Sequence, residues 1–369
     1  MDTEAVVPLR VALLTPPGRG ALAVVGVAGP RAVAAVAHLF HPRGKQPLLA
    51  RPAGSIAFGR WADPTKGEEL VVVRRTADSL EVHCHGGLAA SEAVMASLES
   101  LGAVREPWPA WLHANGAAMV EVEAREALAK AGGPKAAQIL SRQLAGALQA
   151  EFDRIAALKH DGSFAAARAA VDRLRRASRV GLRLTRPWRV VVSGPTNVGK
   201  SSLVNALSGY TRSIVSPEPG TTRDVLETRI VLDGWEIDLV DTAGLRGGDA
   251  ADVSATEQAG IGRAVAAAAA ADLVVHVSRA GTGNGPLRSA ATVPDIPTLH
   301  VVSQCDLAPD DTACPAGGIR TSAVTGAGLD SLAAAIIRLI VPEAGDDPSL
   351  LAGAVPFTPR QCAALDELA

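Results

Sequence analysis

The residues best suited to chemistry form one short segment, Gly194-Pro195-Thr196-Asn197-Val198-Gly199-Lys200-Ser201, with the pattern G-x-x-x-x-G-K-S. In this pattern the glycines let the backbone wrap closely, so that N–H groups and a helix N-terminus point at phosphate oxygens. Lys200 would then reach the β- and γ-phosphates and is a predicted catalytic residue, and Ser201 would hold Mg²⁺ through its hydroxyl. The segment predicts a nucleoside triphosphate site; the alternative is a glycine-rich turn with an ordinary surface lysine. The predicted nucleotide contacts here are Asn197, Val198, Gly199, Lys200, Ser201 and Ser202.

The flanking residues supply the context that such a loop needs. Before it, residues 188–193 form an apolar, β-branched run that predicts a buried strand. After it, residues 202–208 have helical spacing and end at Gly209, a natural helix stop. A strand, this loop and a helix in that order favour the phosphate-binding interpretation.

Two further segments lie at the spacing of a nucleotide-dependent switch. The run Gly220-Thr221-Thr222-Arg223-Asp224 precedes a predicted strand, and Thr222 can complete the Mg²⁺ shell and assist catalysis when the γ-phosphate is present. A strand over residues 235–240 ends in Asp241-Thr242-Ala243-Gly244, where Asp241 can hold Mg²⁺ through water and the Gly244 N–H can sense the γ-phosphate. The further predicted nucleotide contacts are therefore Thr221, Asp241, Thr242, Ala243 and Gly244.

Two later segments predict recognition of a guanine base. A strand over residues 299–302 leads into Ser303-Gln304-Cys305-Asp306, and the Asp306 carboxylate is placed to accept two hydrogen bonds from the guanine edge. The last predicted strand, residues 319–323, ends in Ser322 and Ala323, whose backbone N–H groups can meet the guanine O6.

One group that small GTPases use for hydrolysis has no counterpart here. Those enzymes orient the attacking water with a glutamine just after the D-x-x-G motif. Leu245 stands at that position and cannot hydrogen-bond. Another group must place the water, and another charge must stabilise the transition state, if hydrolysis is to be fast.

The elements that position these segments belong to a doubly wound, mostly parallel α/β domain, because strands and helices alternate from residue 188 to about residue 341. Before it, residues 119–184 have a helical pattern, with a break at Gly132-Gly133-Pro134 between two long helices. Residues 1 to about 115 are predicted to be mixed α/β, with strands over 21–27, 55–59, 69–74 and 79–83. From residue 342 a linker leads into one short helical stretch.

The composition limits the class of protein. A net charge of −2 and a pI near 6.5 give no global attraction to nucleic acid or to an anionic membrane. The acidic start lacks the basic and apolar regions of a signal peptide, and no apolar run reaches the length of a membrane span. The four cysteines have no C-x-x-C spacing, which favours free thiols in a reducing compartment. We expect a cytoplasmic protein with no membrane partner.

Two clusters leave alternatives open. His83-Cys84-His85 invites a metal interpretation, but on a strand the two histidines share a face while Cys84 points away, and no third ligand is near; ordinary strand residues are favoured. A run of arginines could follow an RNA backbone or could be a solvated helix face. The second is favoured, because aspartates and alanines are interleaved and no aromatics stand beside them. The arginines are Arg168, Arg173, Arg175, Arg176, Arg179, Arg183, Arg186 and Arg189.

Together the motifs closely resemble the MnmE (TrmE) family, the GTPases of tRNA wobble-uridine modification. The resemblance rests on G-P-T-N-V-G-K-S, G-T-T-R-D and D-T-A-G-L-R, and on the N-terminal T-P-P-G-R-G and E-V-H-C-H-G-G at residues 15–20 and 81–87. It implies an N-terminal α+β folate-binding and dimerisation domain at residues 1–117 and a reduced all-α domain at 118–186. It further implies a P-loop GTPase domain at 187–342, inserted into the helical domain, and a short C-terminal helical tail at 343–369.

The resemblance also implies how hydrolysis proceeds without the glutamine. A potassium ion, held by the asparagine of the phosphate loop and by the loop before G-T-T-R-D, would neutralise developing charge. A glutamate in the helix after D-T-A-G acts on the attacking water through a second water, and Glu257 matches it; the alternative is an ordinary exposed glutamate. The potassium ligands implied are Asn197, Ser216, Glu218 and Thr221.

Several positions depart from the family pattern. Ser303-Gln304-Cys305-Asp306 replaces N-K-x-D, which keeps the aspartate and predicts a weakened guanine affinity. In the pocket for 5-formyl- or methylene-tetrahydrofolate only Glu81 matches, whereas the family's first-strand arginine falls on Gly26 and a lysine falls on Ala117. No counterpart of the family's terminal C-[I/L/V]-G-K motif is present up to Ala369, so we expect a C-terminally shortened member.

The expected function is therefore GTP binding and potassium-assisted GTP hydrolysis in tRNA wobble-uridine modification. The resemblance implies a homodimer, an FAD-dependent partner in tRNA modification, and tRNA itself as a possible partner. The alternative is a nucleotide-gated binding module that kept the switch and lost the modification chemistry.

Overall fold

The computed structural model describes residues 8–16, 18, 20–210, 227–241, 269–280, 296–307, 314, 317–343, 347 and 349–368. The chain divides into two compact units, residues 1–122 and 123–369. The domain boundaries predicted at residues 117, 186 and 342 stay predictions.

The first unit is built on a seven-stranded sheet with the order β3-β4-β5-β6-β2-β1-β7, antiparallel except for the parallel pair β1–β7. Helices α1 and α2 cover one face, where Val25, Val27, Val72 and Val82 are fully buried. Helix α3 lies over part of the opposite face, with Trp111 packed on β1 and β2. The elements are β1 (Arg10–Leu13), β2 (Leu22–Ala28), α1 (Ala32–Leu39), β3 (Phe40–Pro42), β4 (Ile56–Trp61), β5 (Glu69–Arg74), β6 (Ser79–His85), α2 (Leu88–Glu99), β7 (Val104–Arg105) and α3 (Trp108–Ala114).

The second unit contains a six-stranded sheet with the order β13-β12-β11-β8-β10-β9. All its neighbouring strands are parallel except the hairpin β9–β10, which confirms the mostly parallel α/β sheet. The central strand β8 has Val190, Val191 and Val192 almost wholly buried, as expected of a parallel sheet covered on both faces. The elements are β8 (Trp188–Ser193), α8 (Lys200–Tyr210), β9 (Glu227–Leu232), β10 (Trp235–Asp241), β11 (Leu273–Arg279), β12 (Thr298–Ser303), β13 (Ile319–Arg320) and α9 (Leu329–Ile340). Helices α4 to α7 precede β8 in the chain.

The helices between α3 and β8 correct the prediction of two long helices in this region. The break at Gly132-Gly133-Pro134 is confirmed, but three helices come after it rather than one. Gly146 (φ +97°) and Gly162 (φ +76°) adopt the left-handed conformation that interrupts a helix and that glycine tolerates best. The helices are α4 (Met119–Leu128), α5 (Pro134–Leu144), α6 (Ala147–His160) and α7 (Phe164–Gly181).

The C-terminal segment packs on these helices through buried hydrogen bonds. The Gln143 side chain, 1% exposed, donates to the Gly353 carbonyl at 3.1 Å and accepts from the Val355 N–H at 3.1 Å. Helix α10 (Pro359–Glu367) begins at a capping box formed by Thr358 and Gln361, and Arg360 contacts Glu123 at 2.7 Å. The residues after α9 therefore return to the helices that precede β8.

The amino end of α5 rests on the β9–β10 hairpin. The Lys135 Nζ lies 2.5 Å from the Asp233 carboxylate, and the Lys135 N–H donates to the Gly234 carbonyl at 3.1 Å. Gly133 has no room for a side chain, because a Cβ there would lie 2.5 Å from the Gly234 oxygen. This contact supports the hairpin whose second strand ends at Asp241.

The structure bears on two predictions, the absence of a membrane-spanning helix and the presence of free thiols. In the part of the chain that the structure describes, no helix combines the length and the apolar character needed to cross a bilayer. The four cysteines all lie within that part and are free, and burial raises the pKa of Cys84 to about 11.

Candidate nucleotide-binding site

The predicted phosphate loop connects β8 to α8 and has the backbone geometry that its glycines predict. Gly194 has φ +141°, and a Cβ there would lie 2.2 Å from the Val277 carbonyl oxygen. Gly199 has φ +91° and Asn197 has φ +61°, a left-handed conformation that asparagine tolerates better than most residues. The loop therefore turns tightly at the carboxyl edge of the sheet, where α/β proteins bind ligands.

Lys200 is the first residue of α8 and is folded into the loop. It is only 5% exposed, and its Nζ donates to the Gly194 carbonyl at 3.0 Å and to the Pro195 carbonyl at 2.6 Å. The ammonium group thus lies inside the curve of the loop, at the positive end of a helix, where phosphate oxygens are bound in such motifs.

Ser201 and Asp241 bring two oxygen ligands together beside Lys200. The Ser201 Oγ donates to the Asp241 Oδ2 at 2.6 Å, and Asp241 is 2% exposed at the end of β10, next to β8 in the sheet. A hydroxyl and a carboxylate are the hard oxygen donors that Mg²⁺ prefers, so these two residues fit the ion that the motif implies. When bound, Mg²⁺ supplies charge neutralisation at the β- and γ-phosphates.

A cavity of about 400 Å³ opens above the loop. Its wall joins the phosphate loop to Gln304, in the segment predicted to select the base. Val198 does not line it, since its side chain is buried. The lining residues are Thr196, Asn197, Gly199, Lys200, Ser201, Ser202 and Gln304.

The predicted base-recognition residues lie at the ends of the adjacent strands β12 and β13. Asp306 is exposed in a short 3₁₀ turn, Cys305–Leu307, and Ser322 is buried. The Cys305 N–H donates to the Thr321 carbonyl at 3.1 Å, which ties the two segments together. The last strand is shorter than the predicted 319–323, because Ser322 turns back to accept from the Thr325 N–H at 3.2 Å.

Comparisons with known proteins agree with this geometry. Residues 10–108 match the family described as GTP-binding protein TrmE N-terminus, and residues 189–302 match the family described as 50S ribosome-binding GTPase. The tRNA modification GTPase MnmE of Synechococcus sp. (strain RCC307) is 34% identical, over 92% of this chain and 81% of that protein. The chain belongs to the MnmE family.

Two further MnmE proteins and one solved structure are similar. Those of Methylorubrum populi and Thermus thermophilus are 36% and 32% identical, over 86% and 96% of this chain and 78% and 86% of those proteins. The G domain of the T. maritima FeoB iron transporter aligns at 24% identity and a TM-score of 0.30, over 42% of this chain and 99% of that one. As a member of the MnmE family, the chain is a GTP-binding protein and a GTPase.

Part of the predicted MnmE-type site lies outside the described residues. These residues are Ser216, Glu218, Thr221, Thr222, Thr242, Ala243, Gly244, Leu245 and Glu257. Their roles in binding nucleotide, Mg²⁺ or K⁺ and in catalysis stay predictions.

A histidine that no motif signalled lies beside the phosphate loop. The His276 Nδ1 is 3.3 Å from the Oγ of Ser193, the residue before Gly194, and its ring meets that of His300 edge-on at 5.9 Å. Burial lowers the pKa of His276, and the neighbouring His300 and Lys200 lower it further. Only the strand register, which places Ser193, His276 and His300 side by side, could have indicated this group.

The MnmE folate pocket does not fit the residues present in the N-terminal unit. Gly26 lies opposite Glu81 in the sheet, and a Cβ there would lie 2.7 Å from the Trp111 ring. Glu81 is paired within the chain, with Arg75 at 2.6 Å and His83 at 3.0 Å. Burial alone would raise the pKa of Glu81, but these hydrogen bonds outweigh it and lower the pKa.

The His83-Cys84-His85 cluster and the arginine cluster both include residues that pair with other side chains of the same chain. His83 bonds to Glu81 and His85 to Glu68 at 3.0 Å, while Cys84 is buried on the other face; within the described ranges no group of three or more His, Cys, Asp or Glu is arranged for a metal. In the arginine cluster, Arg183 pairs with Asp272 and lies over the Trp188 ring. Further intramolecular pairs are Arg173–Ser349, Arg175–Asp366 and Arg189–Glu227.

Proposed function

We propose that this chain acts in modification of the wobble uridine of tRNA, in the cytoplasm, with GTP hydrolysis as its driving step. The observation that supports the proposal most is the similarity, across 92% of this chain, to a protein named tRNA modification GTPase. The phosphate loop with its buried Lys200 supports the part of the proposal that concerns GTP. The partner in this chemistry would be an FAD-dependent enzyme, and tRNA would be the substrate of the complex.

The pathway is tested by nucleoside analysis of tRNA from a strain lacking the gene. We expect the modified wobble uridine to fall and to return when the parent gene is restored, but not when a Lys200→Ala gene is supplied. Unchanged nucleosides would contradict the pathway and favour the alternative, a nucleotide-gated binding module. Turnover of GTP by the purified protein would be unaffected by that outcome.

Hydrolysis in this proposal depends on potassium. Asn197 supports this role, because its left-handed backbone places it in the wall of the cavity beside Lys200. A cation there would stabilise the negative charge that develops in the transition state. Glu257 would act on the attacking water, the task that the glutamine has in small GTPases. We expect GTP turnover to be about tenfold or more faster in K⁺ than in Na⁺ and this difference to be lost in Asn197→Ala. Equal rates in the two salts would contradict the role of Asn197.

The proposal also includes a homodimer formed through the N-terminal unit. The exposed apolar residues Leu22, Ile56 and Phe58 share the sheet face opposite α1 and α2, and a second copy would cover them. We expect Phe58→Glu to shift the molar mass measured by light scattering from dimer to monomer, while Leu49→Glu, at an exposed site outside the strands, leaves it unchanged. A Phe58→Glu protein that remains dimeric would contradict this interface.

A further inference from the structure

The exposed side of helix α7 carries arginines along most of its length. Arg168, Arg175, Arg176 and Arg179 are all exposed, and they recur at intervals of three, four or seven residues, which places them on one side of the helix. Arg186 is exposed in the turn that follows. The other side of α7 is buried, and the helix packs against α6 and α10. The arginines therefore form one face that is open to solvent.

The structure separates the arginines that are paired from those that are not. Arg175 lies 3.6 Å from Asp172, the one acidic residue of α7, and 2.8 Å from Asp366 of α10. Asp347 is shared, because it lies 3.9 Å from Arg173 and also attracts Arg176 electrostatically. Within the described ranges, the exposed arginines of this face that form no ion pair are Arg168, Arg176, Arg179 and Arg186.

This distribution of charge is unusual for a face that is merely solvated. Such a face commonly alternates its charges, because like charges three or four residues apart repel and destabilise the helix. Arg179 stands in that relation to both Arg175 and Arg176. The first turn of α7 has no acidic residue to offset them, although the whole chain carries a net charge of −2. A local excess of positive charge in a slightly acidic protein indicates an anionic partner.

The side chains favour a phosphate backbone over an acidic protein. A guanidinium is always charged and donates two parallel hydrogen bonds to a phosphate. From Arg168 to Arg179 the helix rises about 16 Å, which is enough to meet several phosphates of a nucleic acid. Protein interfaces instead have an apolar, aromatic centre with few charges. Here the exposed apolar residues Phe164 and Leu182 lie at the two ends of α7, so no such centre is present on this face.

We propose that the α7 arginine face, formed by Arg168, Arg176, Arg179 and Arg186, binds the phosphate backbone of transfer RNA. The proposal rests on the proposed function, in which tRNA is the substrate. It gives this chain its own contact with tRNA, in addition to any that the FAD-dependent partner makes. Contacts to phosphate fix the position of an RNA without reading its sequence, so the face would hold different tRNAs equally well.

The test is binding of an unmodified tRNA transcript to the full chain, loaded with GDP and Mg²⁺, over a series of salt concentrations. The variant Arg168→Gln/Arg176→Gln/Arg179→Gln removes three charges from the face. We expect its affinity at about 0.1 M salt to fall on the order of a hundredfold, and the slope of log K against log salt to shrink by about two to three. Lysine at the same three positions keeps the charge, and its slope is expected to stay within about one of the parent value.

The matched control, Arg31→Gln/Lys66→Gln/Arg338→Gln, removes the same charge at three exposed sites outside α7 and should bind tRNA within about threefold of the parent. Circular dichroism checks that both variants fold. Should the α7 variant not fold, Arg176→Gln and Arg179→Gln replace it singly, each with a slope smaller by about one.

Three results would overturn the proposal: no tRNA binding by the parent, parent-like binding by the α7 variant, or equal losses in the α7 variant and its control. Equal affinity of the parent for a DNA duplex with the same number of phosphates, or for phosphatidylglycerol vesicles, would overturn the assignment to RNA. None of these results touches the proposed pathway, which fails only if the wobble nucleosides are unchanged in the strain that lacks the gene.

Discussion

At the scale of single residues, the phosphate site concentrates its charge on Lys200. The ammonium is buried in the curve of the loop, and the two carbonyls that accept from it belong to the same loop. Buried charge is costly unless it is paired, so the loop is built to hold this cation where triphosphate oxygens are bound.

Removing that charge gives the first prediction. Lys200→Ala is expected to weaken GDP and GTP binding on the order of a hundredfold, because hydrogen bonds to charged groups are worth about 1.5–3 kcal/mol each. Isothermal titration with Mg²⁺ present measures the change. Lys66→Ala, an exposed lysine of the N-terminal unit, is the matched control and should bind as the parent does. Parent-like affinity in Lys200→Ala would mean that the loop does not bind phosphate.

The Trp111 ring gives a second prediction. The indole fills the space beside Gly26, and Arg75 is paired with Glu81. We therefore expect equilibrium dialysis with 5-formyl-tetrahydrofolate to show no saturable binding to the parent up to about 1 mM. Any binding would then be weaker than roughly 4 kcal/mol. Glu81→Gln should behave identically. Saturable binding that Glu81→Gln abolishes would contradict the misfit between this pocket and folate.

Residues of the phosphate loop are recognisable from sequence because their spacing is local. Ser303, His276 and Trp111 cannot be recognised in this way, because each contacts a residue far away in the chain. Ser303 contacts Val198, His276 contacts Ser193, and the Trp111 ring lies against Gly26. For Ser303 the sequence shows only a departure from N-K-x-D, and its hydrogen bond to the Val198 carbonyl depends on how β12 is placed beside the loop.

At the scale of elements, strands with continuous apolar runs are predicted most accurately. β8 and β5 coincide with the predicted 188–193 and 69–74, because both runs are buried and bounded by polar or glycine residues. The helices after residue 134 are predicted less well, since alanine-rich sequence continues across Gly146 and Gly162 and only the backbone conformation reveals the breaks.

Two glycine-to-alanine substitutions in helices should have opposite effects. Gly181 ends α7 against the C-terminal segment, and a Cβ there would lie 1.9 Å from the Pro356 carbonyl oxygen; Gly181→Ala is expected to destabilise by about 1–3 kcal/mol. Gly209, in α8, has no atom within 4 Å of such a Cβ, so Gly209→Ala should stabilise by about 0.5–1 kcal/mol. Urea unfolding followed by circular dichroism gives both values. Shifts of the same sign would contradict the packing described for α7.

At the scale of the whole molecule, the C-terminal segment is held by a network around Glu123. Its carboxylate accepts from Arg360 at 2.7 Å and from the buried Gln361 side chain at 2.7 Å. Burial alone would raise the pKa of Glu123, but the hydrogen bonds from Arg360 and Gln361 outweigh it, so the pKa in the folded protein is lowered.

The sign of this shift fixes a dependence on pH. A glutamate with a lowered folded-state pKa contributes stability above its unfolded pKa of about 4.3 and loses it as the pH falls through the lower folded value. Glu123→Gln is therefore expected to be less stable than the parent by about 1–3 kcal/mol at pH 7, with the difference shrinking below about pH 4.3. Unfolding at a series of pH values measures this. Glu367→Gln, at an exposed position of α10, is the control. A deficit that persists unchanged into acid would show that the charge of Glu123 is not responsible.

The return of the C-terminal segment to α5 and α7 restricts how the six-stranded sheet can move. Its first strand comes directly after α7, and the chain that leaves α9 is fastened again to the same helices by Gln143 and Arg173. On α5 the Lys135 Nζ also contacts the Asp233 carboxylate of the β9–β10 hairpin, so the sheet is joined to these helices by more than its two chain connections. A rearrangement of the sheet around a bound triphosphate would therefore have to move these helices with it or break that ion pair.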